Sequence, residues 1–155
     1  MSAIRVLMHY SIVSIVYSMN TIESRIEYGK ALDSMGFNYH SIIRYKRYDI
    51  DNEVSSEKIS RKQLDWYMNN LLKRKEVSMA WACIEPDIDP YTKKHLGSTH
   101  VHFAYSSIIN LTLLQLSKFM RINRTFLRES HPLDFSMGYF TKHVGKNLLY
   151  HNLYA

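Results

Sequence analysis

A chain of 155 residues, 46% hydrophobic and 22% charged, is sized for one domain spanning residues 1–155 and excludes wholesale disorder. Cys83 is the one cysteine, which excludes an internal disulfide and a cysteine-rich zinc site and suits a reducing cytoplasm. The net charge of +6 favours an anionic partner, of which nucleic acid is the commonest.

In chain order, the apolar stretch Ile4–Tyr17 comes first. It is too short to span a bilayer and carries Arg5 and His9, so it is predicted as a buried strand, with no membrane partner. Asn20-Thr21-Ile22-Glu23 then offers a helix cap with a glutamate three residues on. Ile22, Ile26, Ala31 and Met35 follow at helical spacing until Gly36. Phe37–Tyr48 alternates as a strand, with Tyr39, Ile43 and Tyr45 on one face and His40, Arg44 and Lys46 on the other. After a polar loop at Asp49–Glu57, Ser60 and Gln63 form a capping pair for a helix whose stripe is Leu64, Met68, Leu71 and Leu72.

Two strands follow, Ser78–Glu85 and Thr99–Tyr105, joined by a loop holding Pro86, Pro90 and Gly97. Thr112–Met120 is predicted as a helix, and Met137–Tyr150 as a terminal helix weakened by Gly138 and Gly145. The order β-α-β-α-β-β-α-α implies an α+β fold, an antiparallel sheet with helices packed on it.

Two constellations carry chemistry. In Ser98-Thr99-His100-Val101-His102-Phe103-Ala104-Tyr105, strand alternation sends both histidines to one face and Val101, Phe103 and Tyr105 to the other. Two imidazoles side by side on a strand can ligate one divalent ion if a third polar group approaches; Glu85, ending the preceding strand, is the natural candidate. Histidine pairs of this spacing also occur on strands that hold no metal. The second constellation is Gly138-Tyr139-Phe140-Thr141-Lys142-His143-Val144-Gly145-Lys146. On a helix, Tyr139, Lys142, His143 and Lys146 share one face. A phenol ordinarily keeps its proton to about pH 10, so a nucleophilic tyrosine needs a nearby cation or a metal-bound phosphate. Lys142 can supply that charge; equally, Tyr139 can serve to pack a helix. Tyr91-Thr92-Lys93-Lys94 repeats the tyrosine-lysine spacing in a proline-bracketed loop, where a phenol would not be fixed in place.

With those residues placed, the chain resembles the HUH endonuclease superfamily, and within it the single-tyrosine rolling-circle replication initiators of small phages and plasmids. The likeness covers Met79–Lys146, through "MAWACIEPD", "GSTHVHFAY" and "GYFTKHVGK". No copy of the first initiator motif stands near the N-terminus, and no Walker-type phosphate loop is present. The resemblance implies a five-stranded antiparallel sheet with a metal site at its centre and a ferredoxin-like or RRM-like nuclease fold. It further implies Mg²⁺- or Mn²⁺-dependent nicking of single-stranded or hairpin DNA at an origin, with a 5′-phosphotyrosine intermediate that later rejoins strands. His100 and His102, with Glu85 as third ligand, would hold the metal; Tyr139 would be the nucleophile and Lys142 its electrostatic partner. Arg44, Lys46, Arg47, Arg121, Arg124 and Lys146 would contact DNA, and unwinding and synthesis would come from a host helicase and polymerase in the cytoplasm. Three alternatives stand beside this reading: a small transposase of the same chemistry, a non-catalytic single-strand-binding protein, and a hydrolase that uses water.

Overall fold

The computed structural model describes residues 22–45, 58–141, 144 and 148–155. The expected strand Ile4–Tyr17 and loop Asp49–Glu57 lie outside them, as do Lys46, Arg47, Lys142 and Lys146. The chain divides into two compact units, one of residues 1–37 and 134–147 and one of residues 38–133 and 148–155. Among the described residues no helix is long and apolar enough to cross a membrane.

The larger unit holds β1 (Tyr39–Arg44), α2 (Arg61–Leu72), β2 (Val77–Ile88), β3 (His95–Ser107), α3 (Leu113–Met120), β4 (Leu127–Pro132) and β5 (Tyr150–Tyr154). The smaller holds α1 (Ile22–Asp33) and α4 (Gly138–Thr141). Five described strands form one sheet in the order β4-β1-β3-β2-β5, with every neighbouring pair antiparallel. Because β1 and β2 each run against β3, they run parallel to one another with β3 inserted between them. Together with α2, α3 and β4 this makes a β-α-β-β-α-β unit of the ferredoxin-like or RRM-like kind, extended at one edge by β5. The fold is α+β, an antiparallel sheet with helices packed on it.

Both helices of this unit start where their sequences say they should. Ser60 and Thr112 accept from the backbone of Gln63 and Gln115, whose side chains reach back to the cap nitrogens. The predicted stripe of α2 is buried at Leu64, Met68 and Leu71. It meets Leu116 and Met120 of α3 and a sheet face made by Ile43, Ala80, Ala82, Ile84, Val101, Phe103, Tyr105 and Leu127. Burying side chains of this size contributes about 1.5–3 kcal/mol each. That helix-covered face takes the odd residues of β3, so the even ones, His100 and His102, point to the other.

Three expectations need correction, and one segment, after Met120, carried none. The hairpin strands are longer than Ser78–Glu85 and Thr99–Tyr105, because β2 runs through Pro86 at a bulge, where no ladder N–H is required of it. The helix predicted over Met137–Tyr150 is a single turn, Gly138–Thr141, among the described residues, and Tyr150 opens a strand. Tyr150–Tyr154 pairs along the edge of β2, so long-range ladder bonds decide its conformation. The basic segment after Met120 becomes a 3₁₀ turn, Arg124–Phe126, leading into β4. In α1, finally, the buried residues are Tyr28, Gly29 and Leu32, whereas Ile22 and Ile26 are 68% and 50% exposed.

The smaller unit explains its glycines. A Cβ on Gly29 would come within 2.8 Å of the Gly138 Cα, so the backbones of α1 and α4 meet without side chains between them. Asp33 at the end of α1 accepts from the Ser136 hydroxyl and the Met137 amide at 2.6 and 2.7 Å, and the Thr141 hydroxyl donates to the Arg25 carbonyl at 3.0 Å.

A candidate metal centre on the sheet

The strand ladder brings three predicted residues of the larger unit together. Glu85 stands directly across from His100 in the β2–β3 pairing, and Cys83 across from His102. Their polar ends converge: the Glu85 Oε2 is 3.5 Å from His100 Nε2 and 4.0 Å from His102 Nε2. One ligand atom from each of the three lies within 4.8 Å of the others. An ion bound at about 2.0–2.2 Å needs neighbouring donors about 3 Å apart, so these side chains would draw together to close a coordination shell. The two imidazoles keep 12% and 14% of their side-chain surface exposed and the carboxylate 18%, enough to admit an ion from solvent.

The far nitrogens of the same rings are also engaged. His100 Nδ1 lies 2.8 Å from Asp87 Oδ1, and His102 Nδ1 lies 3.2 Å from His40 Nε2. Asp87 is itself buried and held: Arg44 donates to its Oδ1 at 2.8 Å and Ser98 to its Oδ2 at 2.5 Å. Both histidines thus direct Nε2 towards Glu85 while Nδ1 is occupied, the arrangement typical of imidazoles that ligate metals. His40 stacks near His102 and His131, with ring centroids 5.5 and 5.3 Å away. By register His151 joins this face across from Cys83, so five of the described histidines share it.

The charges follow from these contacts. Burial lowers the His102 imidazole to about 4 against the pull of Glu85, with the neighbouring His100 and Arg44 adding to the effect of burial, so its ring is neutral near pH 7. Burial acts on His100 in the same direction, but hydrogen bonds to Asp87 and Glu85 win and raise it. Asp87 is partly desolvated, yet His100, Ser98 and Arg44 hold its carboxyl far below the ordinary range. Cys83 is fully buried, and burial together with Glu85 drives its thiol well up, leaving it uncharged. The pocket therefore offers two imidazole nitrogens and one carboxylate, a donor set that suits a divalent transition ion such as Mn²⁺.

The other predicted residues fall elsewhere. Tyr139 belongs to the smaller unit, in α4. Its phenol ring is packed edge-on against Phe135 and Phe140, with centroids 5.5 Å away in each case, and the residue is 55% exposed. Arg44 is tied to Asp87 in an ion pair. Arg121 and Arg124 are exposed at the end of α3 and in the 3₁₀ turn. Tyr91, in the second tyrosine-lysine string, sits 92% exposed at a turn closed by Asp89. Reasoning from sequence missed Asp87 and His40 as members of the site. His40 was within reach, since alternation already set it on the face of Arg44, whereas Asp87 was hidden behind a proline that suggested a loop.

The chain matches no protein-family model, no curated protein and no solved structure.

Proposed function

We propose that this chain is a metal-dependent DNA nickase and strand transferase that initiates replication, using Glu85, His100 and His102 as the metal ligands and Tyr139 as the nucleophile. The observation that carries the reading is the convergence of two Nε2 atoms on one carboxylate with both Nδ1 atoms already engaged. A basic chain and an exposed tyrosine in a string resembling the initiator motif support it.

A divalent ion, Mg²⁺ or Mn²⁺, would polarise the scissile phosphate and offset the charge that builds on it. The Tyr139 oxygen attacks phosphorus, the bond from phosphorus to the 3′ oxygen breaks, and that oxygen leaves with a proton as a free 3′-hydroxyl. The phosphotyrosine keeps a phosphodiester-like bond, so attack by a 3′-hydroxyl later rejoins strands without an external energy source. Lys142 would stabilise the phenolate or the phosphate. Exposed Arg121 and Arg124 would follow the DNA backbone, with Lys46, Arg47 and Lys146. Unwinding and synthesis would fall to host enzymes.

Incubation of the full chain with circular single-stranded DNA and Mn²⁺, followed by a denaturing gel, tests the proposal. The expected result is a protein-linked DNA band that disappears with EDTA and in Tyr139→Phe. Cleavage without a linked product would point to a water-using hydrolase. Salt-sensitive binding indifferent to EDTA, with no cleavage, would leave a non-catalytic single-strand-binding protein.

A further inference from the structure

We infer that Asp87, locked by Arg44 and Ser98, is a positioning residue that decides which nitrogen of His100 meets the metal; the inference rests on the metal-centre reading above. The logic lies in who can donate. Asp87 Oδ1 receives Arg44 at 2.8 Å and faces His100 Nδ1 at 2.8 Å, while Oδ2 receives Ser98 at 2.5 Å. An ionised carboxylate only accepts and a guanidinium only donates, so the oxygen shared by Arg44 and His100 must be an acceptor towards both. His100 Nδ1 therefore carries the proton, and in the neutral ring the lone pair is left on Nε2, the atom facing Glu85 at 3.5 Å.

Three different strands contribute to this lock: Arg44 from β1, Asp87 from β2, and Ser98 with His100 from β3. Asp87 and Ser98 are both buried, so water has little chance to substitute for either partner. The counterpart on the second ligand is weaker in kind. His40 Nε2 meets His102 Nδ1 at 3.2 Å, but an imidazole nitrogen can donate or accept, so that contact orients the His102 ring without dictating its tautomer. Asp87 fixes orientation and tautomer together, as carboxylates behind metal-bound histidines do.

The test titrates Mn²⁺ into full-length wild type, Asp87→Ala and Asp87→Asn, and records the visible spectrum of each with Co²⁺. Asp87→Ala should weaken Mn²⁺ affinity about ten- to a hundred-fold and shift the Co²⁺ bands. Asp87→Asn should recover most of both, because Arg44 turns the amide oxygen towards itself and His100. Wild-type affinity and an unchanged Co²⁺ spectrum in Asp87→Ala would overturn the positioning role while the metal centre stands. A wild-type chain that takes up no Mn²⁺ would overturn the metal reading and, with it, this inference. Should Asp87→Ala fail to fold, ¹⁵N-histidine NMR of the Zn²⁺-loaded wild type decides the matter. Ligation through Nε2 with the proton on Nδ1 of His100 supports the inference, and ligation through Nδ1 overturns it.

Discussion

Glu85, His100 and His102 stand on two strands that lie inside the sheet among the described residues. The reverse side of that sheet is sealed by α2 and α3, and each histidine is braced by a second hydrogen-bond partner. Tyr139 stands in Gly138–Thr141, half-exposed, with its ring edge-on to Phe135 and Phe140. The proposed ligands are built into a core that cannot shift without losing packing, whereas the proposed nucleophile is more than half open to solvent. A metal site and a nucleophile must each be held to within about half an ångström when they act, the first by the sheet and the second by the smaller unit. The two regions should therefore fail separately when mutated.

The largest expected effects are the chemical ones. His102→Ala removes one of two imidazoles and should weaken Mn²⁺ uptake severely and abolish DNA nicking, measured by calorimetric titration and gel assay. Tyr139→Phe should abolish the covalent product while leaving Mn²⁺ affinity and thermal midpoint unchanged; a shared loss of metal binding would erase the contrast between the regions. Next in size is Gly29→Ala, which sets a methyl group against the Gly138 backbone. It should destabilise the α1–α4 packing by about 1–3 kcal/mol, read as faster amide exchange in both helices, with the Co²⁺ spectrum of the metal centre unaltered.

The smallest effect is an alkaline one. The Tyr154 phenol is raised well above its ordinary value, chiefly by burial and then by its 2.6 Å hydrogen bond to Asp65. A raised folded value means that this stabilisation is complete below about pH 10 and fades as pH climbs, because the unfolded chain ionises first. Tyr154→Phe should therefore be less stable than wild type by about 1 kcal/mol at pH 8, and the gap in urea midpoint should narrow above pH 10. A gap that widens would mean the phenol is already ionised in the fold.

What could be read from the sequence was what local chemistry decides. The capping residues Ser60 and Gln63 set the start of α2, and alternation alone sent His100 and His102 to one face and Phe103 to the core. What could not be read depends on partners distant in the chain. Leu127–Pro132 is a strand because β1 offers it an edge, through a bulge near Ser41 and Ile42, and Tyr150–Tyr154 is one because β2 does. Glu85 could be named a candidate, but its place opposite His100 is a matter of hairpin register, which a turn of unknown length conceals. Asp87 illustrates the same limit, since its partners Arg44 and Ser98 come from two other strands.

Electron–nuclear double resonance on the Mn²⁺-loaded protein tests the metal centre most directly, because it counts the nitrogens bound to the ion. Two ¹⁴N couplings are expected in the wild type, falling to one in His100→Ala and in His102→Ala at metal concentrations high enough to force occupancy. Bound Mn²⁺ with no nitrogen coupling, or a spectrum untouched by loss of either histidine, would contradict it.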